Sequence, residues 1–451
     1  MTKNFEYETF IFFIIVKIYC KYHYEEIIFD EGETEVMGIF LKNKNYRKFT
    51  IASWLSGAGN ILFYLALMTY ASKLQNYSLA LSLIAITESL PDLVQSLSGY
   101  LADRTHNKYR VIVWLAIIRF ALYMLVGILF ATNINGWSLV LIVIGLNFIS
   151  DLSGMYSGGL QTPLIVGLVG ENEMAEAQGF TSGISQLITL AAQFIGSGLL
   201  LFMSYSELAI VNALTFLIAG LIFANIGSKV RKQHTQKEDV NDQNFFVTIK
   251  SSLKQVQQAH GLLTIVLVVA LLNGLLSSIE PLISIVIAGH KSMLIGNYSF
   301  TIALLGAAAA IGLASGSAIG TKLLKNVSLF QLSLLSTVNS AVMAIAILNK
   351  NIVFCLILMS TLGFLAGTSS PKLMQWLVVS VDRKILASSA GLLNTILAIA
   401  GPAMTTFFTS IAGAINVNYA LYGVLGLSVI VFTTTLIVMT KVNKIKQTEI
   451  A

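Results

Sequence analysis

Long apolar stretches recur along most of the chain, and short polar segments separate them. Each stretch holds about 20 residues, the length that an α-helix needs to cross a bilayer. Windows of this length predict twelve membrane-spanning helices, numbered here as spans 1 to 12: 49–71, 79–102, 111–131, 137–159, 179–203, 207–227, 261–288, 294–318, 328–348, 351–371, 387–411 and 416–440.

One polar interval is much longer than the others and separates six spans from six. We therefore predict an N-terminal six-helix bundle over 37–227, a cytoplasmic linker over 228–260 and a C-terminal six-helix bundle over 261–440. Residues 441–451 follow as a cytoplasmic tail. The predicted fold class is an all-α membrane protein with two pseudo-symmetric bundles.

The first 36 residues do not continue this pattern. They hold eight of the 22 acidic residues, and their apolar run, 10–16, is too short to span a bilayer. They also lack the small-residue cleavage site of a signal peptide. We predict a non-native or disordered extension, with translation starting at Met37; a regulatory extension is the alternative.

The composition is that of a polytopic membrane protein. Hydrophobic residues make up 55% of the chain, charged residues 11%, and the mean hydropathy is +0.77. Soluble domains carry about a quarter charged residues. The net charge of +6 therefore does not indicate a nucleic-acid partner. With only Cys20 and Cys355, no disulfide framework or thiolate metal site is expected.

Lys and Arg are concentrated in alternate connections between the spans. Counted from Met37, the even-numbered connections and both tails carry 21 of them, while the odd-numbered connections carry only Lys73, Lys291 and Lys350. Because basic residues accumulate in cytoplasmic loops, both termini are predicted to be cytoplasmic. The excess of Lys over Arg, with abundant Ile and Asn, indicates an AT-rich bacterial genome and hence a bacterial cell membrane.

The turn between spans 2 and 3 carries a recognisable motif. Its residues Gly99-x-x-x-Asp103-Arg104-x-x-x-Lys108 resemble the loop between helices 2 and 3 of the major facilitator superfamily, usually Gly-x-x-x-Asp-Arg-x-Gly-Arg-Arg/Lys. His106 and Asn107 depart from that pattern. The resemblance implies that these four residues form a cytoplasmic gate, in which Asp103 approaches the N-terminal end of span 11 near Ala387.

The two halves also resemble each other. Gly159-x-x-x-Pro163 ends predicted span 4, and Gly367-x-x-x-Pro371 ends predicted span 10 at the equivalent place. The segment 168–179, LVGENEMAEAQG, is similar to one carried by macrolide-efflux and siderophore-exporter-like facilitators. Such repeats place a translocation path between the halves, near the membrane midplane.

Ionisable residues deep inside spans are costly, so each is a candidate for function. Five are found: Glu88, Asp92, Arg119, Asp151 and Glu280. At 1.5 Å per residue, Asp92 lies about 16 Å and Arg119 about 14 Å inward from the same turn, and Asp151 reaches a similar depth. We therefore predict that Arg119 is the ion-pair partner of Asp92 or Asp151. A fixed pair that only holds spans together is the alternative.

The four carboxylates are predicted to bind protons or cations. Glu88 and Asp92 are four residues apart and share one helix face, so two negative charges side by side disfavour each other. With Asp92 claimed by Arg119, Glu88 is the better candidate for proton exchange. Glu280 precedes Pro281, which removes a backbone hydrogen bond and suits an external gate. Protonated carboxyls bonded to neighbouring helices are the alternative.

Neutral polar and aromatic residues in the spans are further candidates. Amides that can line an aqueous path, or else hydrogen-bond between helices, are Asn60, Gln95, Asn147, Gln193, Asn273 and Asn394. Aromatic residues that can contact an apolar substrate are Tyr64, Tyr123, Tyr156, Phe63, Phe120 and Trp376.

The resemblance implies transport by alternating access. We expect proton-coupled efflux of a small amphipathic compound, such as a drug, a macrolide or a peptide- or siderophore-like metabolite, by a monomer in the lipid bilayer. No cofactor or metal is expected, and no nucleotide-binding loop occurs. An uptake carrier or lysolipid flippase of the same fold, or a non-transporting sensor, are alternatives. An enzyme is not expected, because the five His residues lie outside the spans and are scattered.

Overall fold

A computed structural model describes residues 38–132, 134, 136–170, 172–230, 262–380 and 386–450, without the side chains of 96, 175, 230, 262–265, 321, 374–380, 386–394 and 441–450. The predicted extension over 1–36 and nearly all of the linker over 228–260 lie outside these residues. In the part that is described, every regular element is a helix.

Where the structure describes it, the N-terminal half has a short helix followed by six long ones. Span 2 is continuous but irregular, because a 3-10 segment joins its two α-helical parts. The elements are Gly38–Lys42; Lys44–Ala71 (span 1); Tyr77–Ser89, Leu90–Val94 and Gln95–Asp103 (span 2); Lys108–Phe130 (span 3); Gly136–Val169 (span 4); Met174–Leu199 (span 5); and Tyr205–Val230 (span 6).

The C-terminal half repeats this order. Span 8, the counterpart of span 2, is also irregular, with a π-helical segment in its second half. The elements are Leu262–Gly289 (span 7); the 3-10 turn Lys291–Met293; Tyr298–Ser315, Gly316–Gly320 and Thr321–Leu323 (span 8); Leu329–Leu348 (span 9); Ile352–Ser380 (span 10); Leu386–Ala414 (span 11); and Val417–Ile450 (span 12).

These helices confirm the predicted fold class. Among the described residues, eleven helices are long and apolar enough to cross a membrane, and they coincide with eleven of the twelve predicted spans. The remaining one, span 5, is 26 residues long. It is not among the eleven, because its sequence is rich in polar residues such as Glu176, Gln178 and Gln186. The chain is a multi-pass membrane protein.

Spans 4 and 10 continue further than predicted. Span 4 was expected to end at Gly159 and span 10 at Pro371, but the helices run on through Pro163 to Val169 and through Pro371 to Ser380. Proline removes only one helical hydrogen bond, which a long, well-packed helix tolerates. Span 4 ends instead before Gly170, whose φ of +85° is a conformation that glycine adopts without strain.

Polar residues just before the helices explain where several spans begin. The side chain of Asn43 accepts hydrogen bonds from the backbone N–H groups of Asn45 and Tyr46 at 3.1 and 3.0 Å, and so caps span 1. Asn297 caps span 8 in the same way, through Phe300 N at 2.8 Å. Ser328 begins span 9 with a capping box. Each cap satisfies backbone donors that the helix leaves free.

The repeated glycines pack in equivalent positions. A Cβ atom on Gly159 would lie 2.7 Å from the hydroxyl of Ser98 in span 2, and Ser98 donates a 2.9 Å hydrogen bond to the carbonyl of Met155. Gly367 lies correspondingly against Leu313 and Ser317 in span 8. Glycine is required at both places because the backbones of spans 2 and 4, and of spans 8 and 10, approach closely.

The two halves meet along spans 2, 5, 7, 8 and 11. Ser78, near the start of span 2, donates a 2.8 Å hydrogen bond to the carbonyl of Ala412 near the end of span 11. The hydroxyls of Ser197 and Ser299 lie 3.3 Å apart between spans 5 and 8. Both contacts lie at the ends of spans that the orientation prediction places outside the cell.

Candidate functional site

A cavity of about 330 Å³ lies among spans 1 to 4 and is lined by several of the predicted site residues. Five of them line it together: Asn60, Glu88, Asp92, Arg119 and Asp151. They come from four different helices, so the sequence spacing alone does not bring them together. The depth estimate that placed Asp92, Arg119 and Asp151 at one level agrees with this shared cavity.

The irregular part of span 2 lies in the wall of this cavity. Pro91 stands inside the 3-10 segment between the two acidic residues, where its ring leaves a backbone carbonyl without its usual helical partner. The side chains of Glu88 and Asp92 are both exposed to the cavity side. Two carboxylates are thus accessible to water or ligand within the hydrophobic thickness of the membrane.

Arg119 does not form the predicted ion pair. Among the residues that the structure describes, its side chain bonds only neutral groups: Nε donates to Ser150 Oγ at 3.1 Å, and the terminal nitrogens donate to Asn60 Oδ1 at 2.8 Å and Ser56 Oγ at 3.4 Å. Its guanidinium carbon lies 3.9 Å from the ring centroid of Phe216. Neutral oxygens and an aromatic face therefore stabilise a side chain that is only 6% exposed.

Gly154 explains how the guanidinium fits against span 4. A Cβ atom there would lie 3.2 to 3.3 Å from the guanidinium atoms of Arg119. Because Gly154 has no side chain, the guanidinium of Arg119 from span 3 can lie directly against span 4. Gly154 is three residues after Asp151 in that helix. Arg119 and Asp151 both line the cavity, but the hydrogen bonds of Arg119 among the described residues go to Ser150, Ser56 and Asn60 and not to Asp151.

Asn147 links the acids of spans 2 and 4. Its amide nitrogen donates to Asp151 Oδ2 at 2.6 Å and, more weakly, to Glu88 Oε2 at 3.4 Å. Its oxygen accepts a 2.5 Å hydrogen bond from the hydroxyl of Tyr123. The neutral amide of Asn147 thus holds two carboxylates near each other, whereas the sequence predicted that the cationic side chain of Arg119 pairs with an acid here.

Glu280 lies in span 7 of the C-terminal half, directly before the proline inside that helix. Its side chain is exposed, and its backbone carbonyl accepts a 2.8 Å hydrogen bond from the hydroxyl of Ser284. Glu280 does not line the four-span cavity.

The other predicted path residues have different positions. Asn273 donates a 3.0 Å hydrogen bond to the carbonyl of Leu397 and so joins spans 7 and 11, which is the helix–helix alternative. Gln193 lies against Gly306 between the halves, with its buried Oε1 unpaired among the described residues. Gln95 is exposed, and the side chain of Asn394 lies outside the described part.

The predicted cytoplasmic gate is partly described. The guanidinium carbon of Arg104 lies 3.7 Å from the ring centroid of Tyr100, and Thr105 shares a 2.6 Å hydrogen bond with Tyr156 of span 4. Asp103 is exposed. A Cβ atom on Gly99 would meet nothing within 4 Å, so packing in this conformation does not require glycine there. The expected partner near Ala387 lies outside the described side chains.

Sequence reasoning missed the serine ligands of Arg119 and the role of Phe216. Ser53, Ser56 and Asn60 follow one another at helical spacing along one face of span 1, and this polar stripe was a usable signal. Gln161, which accepts a 3.0 Å hydrogen bond from Ser53, extends the polar wall onto span 4. Ser150 and Phe216 carry no comparable signal.

Comparison with known proteins gives a clear result for structure and none for sequence. No protein-family model matches the chain. No curated protein matches it either. The likeness to solved structures therefore concerns the fold.

Three solved transporters cover 88% of this chain. A mutant of the nucleoside transporter NupG has a TM-score of 0.64 at 12% identity, with all of that chain covered. A bacterial homologue of the human lysosomal transporter Spinster, inward-facing and unoccupied, has a TM-score of 0.58 at 12% identity, and an auto-inhibited POT family peptide transporter 0.59 at 13%, each with 97% covered. The chain has the twelve-helix fold of the major facilitator transporters.

Proposed function

We propose that this protein is a major facilitator that exports a small amphipathic compound in exchange for protons. One observation carries the proposal: Glu88, Asp92 and Asp151 line a single cavity within the membrane, while Arg119 is bonded to neutral groups. Carboxylates at such a depth are costly unless they bind a proton or a cation. A site that binds a proton and a cation in turn can couple proton flow to transport.

Asn147 supports proton exchange between the two spans. It donates to Asp151 and to Glu88, so either acid can carry a negative charge while the amide stabilises it. Two like charges so close disfavour simultaneous ionisation, which favours a proton on one of them. Binding of a cation nearby favours release of that proton.

The contacts between the halves support alternating access. The hydrogen bonds Ser78–Ala412 and Ser197–Ser299 hold the halves together at the predicted external ends of the spans. We infer that this conformation is closed to the outside and faces inward. An outward-facing state then requires these contacts to separate and the cytoplasmic ends to close.

The resemblance of segment 168–179 to efflux facilitators favours export over import. Transport other than export is the main alternative, because one solved neighbour is a nucleoside transporter and another a Spinster homologue. An uptake carrier or a lysolipid flippase would use the same fold. An uptake carrier differs from the proposal in the direction of substrate flow, and a flippase would move a lipid between the two leaflets.

Fluorescent amphipathic compounds loaded into cells that produce the protein test the proposal. We expect at least one compound in a panel of cationic, neutral and anionic dyes to leave energised cells faster than it leaves cells that lack the protein. A protonophore should abolish the difference, because it removes the proton gradient. Faster accumulation of a compound in producing cells would instead establish an uptake carrier.

A further inference from the structure

We propose that a pocket between the external ends of the two halves binds a phosphate group, carried by an outer-leaflet lipid or by a soluble ester. The pocket has a volume of about 300 Å³ and shares no lining residue with the cavity among spans 1 to 4. It is lined by the ends of spans 1, 5 and 6 from the N-terminal half and of spans 7 and 8 from the C-terminal half. The orientation prediction places these ends outside the cell.

The charge of the pocket wall favours an anion. Among the described residues, Lys73 lines the pocket and neither Asp nor Glu does. Glu207 is two residues from the lining Tyr205 in span 6, a spacing that does not put both on one face, and its carboxylate is bonded to Ser204. Glu280 lies eight residues before the lining Ala288 in span 7, or about 12 Å along the helix axis. An anion in the pocket therefore meets a positive charge and no adjacent negative one.

Tyr205 holds the ammonium group of Lys73 in place. The Nζ atom of Lys73 donates a 2.8 Å hydrogen bond to the hydroxyl of Tyr205. The ring of Tyr205 packs against the rings of Tyr70 and Phe130, with centroid distances of 5.2 and 5.8 Å. This bond uses one of the three N–H groups of Lys73 and leaves the hydroxyl proton of Tyr205 free to donate. Two donors, one of them charged, are thus positioned before a ligand binds, which lowers the entropic cost of binding.

Two further donors come from the other half. The Oδ1 atom of Asn297 accepts hydrogen bonds from Phe300 N and Ser299 Oγ, each at 2.8 Å, so its amide nitrogen is the part left for a ligand. Tyr298 lines the same pocket and is 8% exposed, and its hydroxyl has no hydrogen-bond partner among the described residues. Leaving such a buried hydroxyl unpaired is costly. A phosphate group offers several strong acceptor oxygens and can bind donors from both halves at once.

The rest of the wall is apolar and reaches the surface. Leu200, Leu294 and Ala288 line the pocket beside the polar groups. Leu201 is also in the wall and is 64% exposed, and the following Phe202 is exposed as well. A hydrocarbon chain attached to the phosphate would cover these side chains and gain free energy from their burial. The apolar wall therefore favours a lipid as the source of the phosphate.

A phosphate bound in this pocket would hold the external side closed. Lys73 and Tyr205 belong to the N-terminal half, and Asn297 and Tyr298 to the C-terminal half. These donors separate when the halves move apart outside. A ligand that binds only the closed arrangement shifts the population toward it. We therefore expect the bound phosphate to slow conversion to an outward-facing state.

The rate at which Lys73 is acylated tests the inference on the purified full-length protein in a neutral detergent. A water-soluble N-hydroxysuccinimide ester modifies exposed amines, and mass spectrometry gives the rate at each lysine. Dodecyl phosphate is the probe, inorganic phosphate supplies the head group alone, and dodecyltrimethylammonium supplies the same tail with the opposite charge. Lys350, an exposed lysine between spans 9 and 10 that does not line the pocket, reports any effect of micelle charge on the reagent.

We expect dodecyl phosphate to lower the ratio of the Lys73 rate to the Lys350 rate saturably. At about ten times its Kd, about one protein in ten is free, so the ratio should fall about tenfold. Protection by dodecyl phosphate alone would support the site and assign it to a lipid; protection by inorganic phosphate as well would support it and assign it to a soluble phosphate. An unchanged ratio with both phosphates, or equal protection by the cation, would overturn the inference.

Tyr205→Phe tests whether Lys73 is protected by the proposed contacts. The variant keeps the ring against Tyr70 and removes the hydroxyl, so the concentration of dodecyl phosphate that gives half protection should rise about 2- to 12-fold, the range for one hydrogen bond. Tyr419→Phe, at an exposed tyrosine near the start of span 12, is the matched control and should bind like the wild type. Because no gradient and no exported compound is used, this result is separate from the transport assay, which tests the proposed function.

Discussion

The side-chain amide of Asn147 donates a 2.6 Å hydrogen bond to the carboxylate of Asp151, one turn further along span 4. The same side chain accepts from the buried hydroxyl of Tyr123 and reaches Glu88 across the cavity. A neutral residue therefore organises the acids, and Arg119 stabilises the surrounding wall from span 3.

Replacing Asn147 should lower the stability of the protein and also uncouple transport from protons. Asn147→Ala leaves the Tyr123 hydroxyl buried without its partner, which costs about 1–3 kcal/mol. It also removes the donor that links Asp151 with Glu88. We expect a lower melting temperature of the purified protein and loss of proton-linked transport.

Asn339→Ala is the control for this change. Asn339 is a buried amide that donates a 3.0 Å hydrogen bond to the carbonyl of Leu358, far along the chain from the acids. It should lower the melting temperature comparably and leave coupling intact. If both variants lose coupling equally, the linking role of Asn147 is wrong.

Even a methyl group at Gly154 should disturb Arg119. Gly154→Ala places a methyl carbon 3.2 Å from the guanidinium, which must then shift by a few tenths of an ångström and weaken its hydrogen bonds to Asn60 and Ser150. We expect reduced thermal stability and transport. Gly145→Ala, in the same helix but with no atom within 4 Å of the new carbon, should be neutral or more stable, because alanine favours helix by about 1 kcal/mol. Equal behaviour of the two variants would contradict the close fit.

Asp103 should affect the transport rate rather than folding. The motif resemblance assigns it a contact with the N-terminal end of span 11, worth about 0.3–1 kcal/mol when exposed. Asp103→Asn is expected to slow transport several-fold with an unchanged melting temperature, while Glu207→Gln leaves the rate unaltered. Wild-type rates in Asp103→Asn would remove its gating role.

The side chain of Tyr298 should block access from outside the cell to the space between the two halves. It lines a pocket of about 300 Å³ between the halves, and its buried hydroxyl has no hydrogen-bond partner among the described residues. Ser284, one turn from Glu280, lies beside it. In a variant without Cys20 and Cys355, Ser284→Cys should react slowly with a membrane-impermeant thiol reagent applied outside.

Adding Tyr298→Ala to that variant should speed the labelling, because the ring no longer blocks the way. Tyr298→Phe keeps the ring and should keep the protection. Tyr205→Ala, which changes the opposite wall of the same pocket, is the matched control and should not speed labelling. An unchanged labelling rate in the presence of Tyr298→Ala would show that another residue blocks access from this side.

The sequence was sufficient to predict the helical architecture, because span length and hydrophobicity are properties of single helices. It was also sufficient to find the acids, since charge deep in a span is conspicuous. The partners of Arg119 were predicted wrongly. Depth along the helix placed Asp92 and Asp151 at its level, but rotation about the helix axis turned Arg119 toward Ser150, Asn60 and Phe216. Such rotations depend on packing between helices, which periodicity does not specify.

The central claim is that carboxylates within the membrane exchange protons for an outward-moving compound. It is tested most directly by the internal pH of everted membrane vesicles energised by respiration. Adding a compound that the protein exports should raise the lumenal pH in wild-type vesicles and leave it unchanged in vesicles with Glu88, Asp92, Asp151 and Glu280 replaced by their amides. A compound that is transported with the same pH response in both would contradict the account.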